Sequence, residues 1–396
     1  MEKKSGIQRL KEFVAIFKTE LRYIFSDGGV ILIMFGAVII YSTVYSFAYS
    51  NEVLQDVPVA IVNNDRTQES RDFIRKLNAT PNINVTYEVS SLDEAKSLFL
   101  SRKVYGIIIL PDDFAKDIYS GKTTYVAIYA DGSYLLIYKQ VLNDLTNTVL
   151  TNNVQIKVQR LMQQGISMEQ AFVVSNPVSP NIQSTFNPYL GYGSFAMPAI
   201  LVLIIQQTLL IGIGMIGGTW REKKLYCKLI PERRKYLSAL PILLGKSAAY
   251  YVSGAATMLY VFGFQYKLFH FPMNGDVLDL TMFMTPYLLS VIFLGLAISL
   301  VLKRRENSII LILFTSIPLL MLSGISVPKE AMPEWLYQFG KIIPSSNAIN
   351  GFIRIQSAGA TLKEVSPEYA MLWILTGIYF LLAALGMRSL ARKVYD

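Results

Sequence analysis

Few residues in this 396-residue chain are of types that do chemistry, and their spacing excludes most of what they could do. One histidine and one cysteine, Cys227, cannot build a His/Cys zinc cluster within a single chain. Asp112, Asp113 and Asp131 could ligate a metal or move protons. Without a further ligand cluster they read as solvated surface and as a helix N-terminus, where carboxylates face the positive dipole end. Gly245-Lys246-Ser247 and Gly121-Lys122-Thr123 end like a phosphate-cradling loop, but Leu240 and Lys116 stand where its first glycine belongs. No nucleophile elbow or zincin motif is present. The chain is therefore read as no enzyme by itself and as holding no cofactor. Any ATP it uses is hydrolysed by another chain.

The elements around these residues are mostly apolar. The chain is 52% hydrophobic with a mean hydropathy of +0.38, too apolar for an ordinary soluble domain. Six apolar segments, near 28–50, 194–217, 247–269, 280–302, 308–326 and 369–388, each approach the ~20 residues that cross a bilayer as a helix. The first is longer than the core of a cleavable signal, despite a weak cleavage site at Ser46-Phe47-Ala48, and reads as a retained anchor. The middles of the six spans carry no Asp, Glu, Lys or Arg, which argues against an ion-driven carrier with a buried relay. Gln206-Gln207-Thr208 is the most polar patch inside a span. Such residues either bond between helices or line a path for a large polar or amphipathic substrate.

Charge sets the expected orientation. Twenty of the 37 Lys and Arg residues lie in 1–27, 218–246, 303–307 and 388–396, and none lies in 270–279. The positive-inside rule then puts both termini in the cytoplasm. Residues 51–193 carry a net −2, so the +9 of the whole chain comes from the membrane part and its edges. That distribution speaks against a nucleic-acid surface.

From Asp56 the pattern changes to alternating strand and helix signals. Val57–Val62, Ile83–Val89, Val104–Leu110 and Thr123–Ala130 read as strands, and 68–77, 92–101 and a short stretch after Pro111-Asp112-Asp113 as helices. Ser91 and Glu94 make a capping box, and Gly121 closes the third helix. Leu135, Tyr138, Leu142, Leu145 and Val149 recur at helical spacing, predicting one long helix or a pair over 132–175. The result is a small α/β domain with a helical stalk. It lacks cysteine, so its core and not disulfides must hold it.

Two further elements suit contact with a cytoplasmic partner. Residues 6–25 place Ile7, Leu10, Phe13, Val14, Phe17, Leu21 and Ile24 on one face and Arg9, Lys11, Lys18 and Arg22 towards the other, as in a helix lying in the membrane interface. Asp27-Gly28-Gly29 breaks it before the first span. Residues 220–235 form a short charged segment ending at Pro231-Glu232-Arg233-Arg234-Lys235.

Several stretches together resemble the permeases of the type-2 ATP-binding-cassette exporter family, in the branch with a large external domain after the first span. They are Phe186-Asn187-Pro188 with Pro198, Arg221-Glu222 followed by Leu229-Ile230-Pro231, Gly245-Lys246, and Ser323-Gly324-Ile325-Ser326-Val327-Pro328 through Met332-Pro333-Glu334-Trp335 to Ile343-Pro344-Ser345. Asn64-Asp65, Leu92–Ala95 and Pro111–Phe114 add to the likeness in the α/β domain. Lys223-Lys224 departs from the Gly-Thr usual after the family's Arg-Glu.

The resemblance implies a polytopic α-helical membrane protein of six transmembrane helices (1 + 5). Residues 1–27 would form an interface helix, 28–50 the first span, 51–193 an extracytoplasmic α/β domain and 194–396 a five-helix domain. It implies an ATPase-coupling loop at 218–236 carrying Arg221, Glu222, Lys223, Arg233 and Arg234. An external gate at 323–350 would use Ser323, Gly324, Pro328, Met332, Pro333, Trp335 and Pro344. Gln206, Gln207 and Thr208 are candidates for the translocation path. ATP and Mg would sit on partner ATPase subunits. The other partners are a second permease copy or paralogue, a periplasmic adaptor and the lipid of a bacterial inner membrane. The competing expectation is a membrane-anchored receptor or envelope scaffold without transport.

Overall fold

A computed structural model describes residues 6–49, 54–178, 185–187, 191–225 and 239–393. The chain forms two compact units, one of residues 53–183 and one of residues 1–52 and 184–396.

The smaller unit is an α/β layer built as its periodicity predicts. Strands β1 (Val57–Asn63), β2 (Ile83–Val89), β3 (Gly106–Leu110) and β4 (Ala127–Ala130) form one sheet in the order β2-β1-β3-β4. The first three are parallel and β4 runs antiparallel to β3. The apolar runs 57–62 and 106–110 lie centrally because both their faces are covered, and Val59, Ile61, Ile108 and Leu110 are buried. Among the helices that cover the sheet are α3 (Gln68–Asn78), α4 (Leu92–Leu100) and α5 (Phe114–Ser120). Thr67 caps α3 and Ser91 caps α4, each accepting an N–H three residues on, from Ser70 at 3.3 Å and Glu94 at 3.2 Å. Gly121, at φ +75°, ends α5.

Residues 132–175 form a pair of helices, α6 (Leu135–Gln163) and α7 (Met168–Ser175). Their inward face differs from the spacing-based expectation. Leu135, Tyr138 and Leu142 are exposed, and α6 turns Val141, Asp144, Leu145 and Thr148 inward. The reason is polar: the buried Asp144 carboxylate accepts both the backbone and the side-chain N–H of Asn82, at 3.2 and 2.9 Å. An apolar face matched there would strand those donors. The predicted fourth strand also shortens, pairing only from Ala127.

In the larger unit, α1 (Gly6–Ser26) is followed, after Asp27, by α2 (Gly28–Ala48), which contains a π turn at Leu32–Ala37. Then come α8 (Tyr192–Glu222) and α9 (Ala239–Met258), the latter prolonged by a π turn at Leu259–Gln265. They are followed by α10 (Val277–Ser299), α11 (Arg305–Leu322), α12 (Glu334–Gly340), α13 (Pro344–Ala358) and α14 (Ser366–Lys393). Among the described residues, Gly28–Ala48, Gly193–Glu222, Val277–Ser299, Arg305–Leu322 and Ser366–Leu390 are long and apolar enough to cross a membrane. Residues 247–269, expected as a further span, fall on α9 and its π-wound continuation. The unit is thus a helical membrane bundle with α8 at its centre. Gly212 approaches Met34 of α2, Gly214 meets Ser308 of α11, and Gly217 meets Ser299 of α10. Small residues let backbones approach closely where lipid supplies no hydrophobic drive between helices.

Candidate functional site

Of the predicted coupling residues, Arg221, Glu222 and Lys223 sit where α8 ends, and three successive side chains there, Trp220, Arg221 and Glu222, each hold a different neighbour. Trp220 is buried against Tyr23 of α1, ring centroids 5.0 Å apart, and lies under Lys246 of α9, whose Nζ is 4.1 Å from the ring centre. Arg221 donates to the carbonyls of Leu300 and, at 3.4 Å, Val301. These follow the last turn of α10, where carbonyls lack helical partners and the dipole favours a cation. Glu222 Oε1 accepts the backbone N–H of Arg305 at 3.2 Å, at the donor-rich start of α11.

Two ion pairs brace this end. Arg305 grips Asp27 through both terminal nitrogens, Nη1 to Oδ2 at 3.0 Å and Nη2 to Oδ1 at 3.2 Å. Asp27 also caps α2, accepting from Gly29 N–H at 3.0 Å and Val30 N–H at 3.2 Å. Burial pushes the Asp27 carboxyl up, but the Arg305 and backbone hydrogen bonds together hold it below its ordinary value. The second pair is dry. Lys246 Nζ lies 2.6 Å from Glu20 Oε2, with side chains 2% and 1% exposed, and the Tyr250 hydroxyl donates to Glu20 Oε1 at 2.6 Å. A Cβ at Gly245 would fall 2.9 Å from Ile16, so glycine admits α1 beside the lysine that holds it. On α1 itself, Leu10 and Val14, expected on the apolar face with Ile24, are exposed while Ile24 is buried. The face that docks carries Ile16, Glu20 and Ile24.

Lys223 follows the last turn of α8, and Arg233 and Arg234 lie outside the described residues, as do Cys227 and the Leu229-Ile230-Pro231 stretch. Asp27, Arg305 and Glu20 were absent from the sequence-derived site. The signal for them, charges flanking span ends, was visible, but their pairing spans 278 and 226 residues of chain.

The residues predicted as a gate form one continuous segment. Ser323 closes α11, its hydroxyl bonded to Leu320 O at 2.6 Å, and Gly324 turns the chain at φ +85°. Pro328 leads into a single 3₁₀ turn at Lys329–Ala331 that Met332 ends, and Pro333 precedes α12. Trp335 is 72% exposed. Pro344 is the first residue of α13 and is buried. Asn350 of α13 donates to Ser323 O at 3.1 Å, closing the segment on its own start.

Of the three predicted path residues in α8, Gln206 is spent on this segment. Its Oε1 accepts the Ser345 N–H at 2.9 Å and its Nε2 donates to Ser345 Oγ at 3.0 Å. Thr208 bonds to the carbonyl of Ile204 at 2.8 Å. The buried Gln207 amide has no partner among the described residues. In the α/β unit, Asp113 pairs with Lys116 at 3.0 Å and that bond raises the lysine's pKa, while Asp131 accepts the Ser133 N–H at 2.9 Å. No group of three or more His, Cys, Asp or Glu that could hold a metal occurs among the described residues.

Comparison with known proteins places this architecture. Residues 29–385 match a family model described as "ABC-2 family transporter protein". The chain is similar to the probable multidrug ABC transporter permease YbhR of Escherichia coli K12, at 21% identity over 83% of this chain and 85% of that protein. It is also similar to the linearmycin resistance permease protein LnrN of Bacillus subtilis 168, at 23% over 96% and 100%. The inner membrane transport permease YhhJ of E. coli K12 is 23% identical over 93% and 95%. None of these matches supports the alternative of a receptor or scaffold without transport.

Proposed function

We infer function from one premise: the chain belongs to the ABC-2 family of transporter proteins. It is the transmembrane permease subunit of an ATP-binding-cassette exporter, and a separate ATPase subunit hydrolyses the ATP. The observation that carries this is the family match from the first span to the last.

The finer reading is ours. The bundle crosses a bacterial inner membrane six times, with the π-prolonged α9 as the third crossing and both termini cytoplasmic, as the Lys and Arg distribution asks. The α/β unit then lies outside, where it guards the exit or meets an adaptor. Two permeases, this chain with itself or a paralogue, flank a central path. Two ATPases, holding ATP and Mg, dock on the 218–236 loop and on α1. Their closure rocks the bundles and opens the segment 323–350 outward. The relatives named for multidrug and linearmycin resistance support a drug-like substrate. The unpaired Gln207 amide is the best candidate for a contact along its path.

The test is purification of the tagged chain from its native membrane in mild detergent, with identification of bound proteins and an ATPase assay. A stoichiometric nucleotide-binding subunit, lost on Arg221→Glu with Glu222→Lys, supports the exporter and its loop. An envelope protein bound to residues 51–193, with no ATPase, refutes it.

A further inference from the structure

Arg305 stands where three helices meet. It is the first residue of α11, its backbone N–H is held by Glu222 at the end of α8, and its guanidinium is held by Asp27 at the start of α2. Glycines shape the slot it fills. A Cβ at Gly218 would lie 2.6 Å from the Arg305 nitrogen, and one at Gly29 would lie 3.1 Å from its Nη2. The two-point grip of a guanidinium on a carboxylate fixes orientation as well as distance. Asp27 is itself bound to the first turn of α2. The chain just beyond Glu222 therefore cannot shift α8 alone. Glu222 draws the start of α11 with it, and Arg305 draws α2 through Asp27.

We propose that Asp27 and Arg305 are positioning residues for energy coupling: Glu222 passes movement at the end of the second span to the start of the fifth, and the Asp27–Arg305 pair carries it on into the first. This rests on the permease reading above and specifies how its loop acts. Neither residue touches ATP or substrate in this scheme. A bracket of purely structural value would instead set how much complex assembles, and ATP hydrolysis and conformational response would fall together.

The experiment compares the intact permease–ATPase complex with Asp27→Asn, Arg305→Gln and the double variant. Asparagine retains the capping oxygen of α2 and removes only the charge. ATP hydrolysis is measured beside hydrogen–deuterium exchange with and without ATP and vanadate, which needs no known substrate. In the parent complex, ATP changes exchange at 218–225, 28–48 and 323–350. In each variant hydrolysis stays within about twofold and the changes at 218–225 and 323–350 persist, because Glu222 still holds the backbone N–H of residue 305, while the ATP-dependent change at 28–48 falls roughly fivefold or more. The double variant is no worse than either single, because the pair acts as one unit.

A retained response at 28–48, a loss at 323–350 as large as that at 28–48, additive losses, or hydrolysis falling in step with the response would overturn the proposal. So would a parent complex whose first span shows no response to ATP. A parent chain that carries no ATPase at all overturns the permease reading itself, which separates the two failures.

Discussion

Replacing Lys246 by methionine should unfasten α1. In the folded chain the Glu20 carboxylate receives Lys246 at 2.6 Å on one oxygen and Tyr250 at 2.6 Å on the other, in a site almost closed to solvent. Lys246→Met leaves that carboxylate with the tyrosine alone. Removing one partner of a buried pair costs about 3–5 kcal/mol, because the remaining charge is uncompensated. Loss of the cation over Trp220 adds about 1–2 kcal/mol, most of which a methionine sulfur against the same ring recovers. The net expectation stays at about 3–5 kcal/mol against the docked helix.

Lys18 and Arg22 are exposed on α1 and supply trypsin sites that are cut when the helix opens. With opening fast relative to cleavage, a loss of that size raises the cleavage rate by about a hundredfold or more. Tyr250→Phe, which removes one hydrogen bond to a charge, should cost about 1.5–3 kcal/mol. Glu20→Leu combined with Lys246→Met removes both charges and should return cleavage to within about tenfold of the parent. Unchanged cleavage in Lys246→Met, or a double variant cut as fast as the single one, would refute the reasoning.

Three further expectations concern the rest of the bundle. Gly218→Ala sets a methyl 2.6 Å from the Arg305 backbone nitrogen and should cost about 1–3 kcal/mol in thermal stability, whereas Gly377→Ala, with nothing within 4 Å, should be neutral or stabilising. Gln206→Ala strands the buried N–H and hydroxyl of Ser345 and should lower the melting midpoint more than Ser345→Ala, at about 1–3 kcal/mol per orphaned group; equal losses would count against the two-bond clamp. Asp27 titrates below its ordinary value of 3.8, so its contribution is complete above that pH and is lost as pH falls through the lower folded value. The stability gap between the parent and Asp27→Asn should hold constant from neutral pH downward and close only in acid, and a gap that opens in acid contradicts the sign.

Much of the fold was legible because it rests on local rules. Ser91 reads as a cap because its hydroxyl sits three residues before an N–H it can reach, and it does cap. The run 104–110 reads as a central strand because a continuous apolar run needs cover on both faces, and its paired part, Gly106–Leu110, lies inside the sheet between β1 and β4. The failures came where a polar contact overrode apolar spacing. Asp144 turned α6 so that Leu142 faces out, and on α1 the buried Glu20 joins the docking face, which apolar spacing alone did not include. Hydropathy treats both carboxylates as surface, and nothing local announces a buried partner.

The sequence by itself determined which segments are apolar enough to be membrane-crossing helices, where the α/β unit interrupts them, and that no ATP-hydrolysing motif is present, since each follows from nearby residue types. Tertiary structure alone decided which polar groups meet. Glu20 with Lys246, Asp27 with Arg305 and Gln206 with Ser345 are 226, 278 and 139 residues apart. Burying a polar group demands a partner at hydrogen-bond distance, and only packing around the glycines of α8 and Gly245 brings those partners into reach.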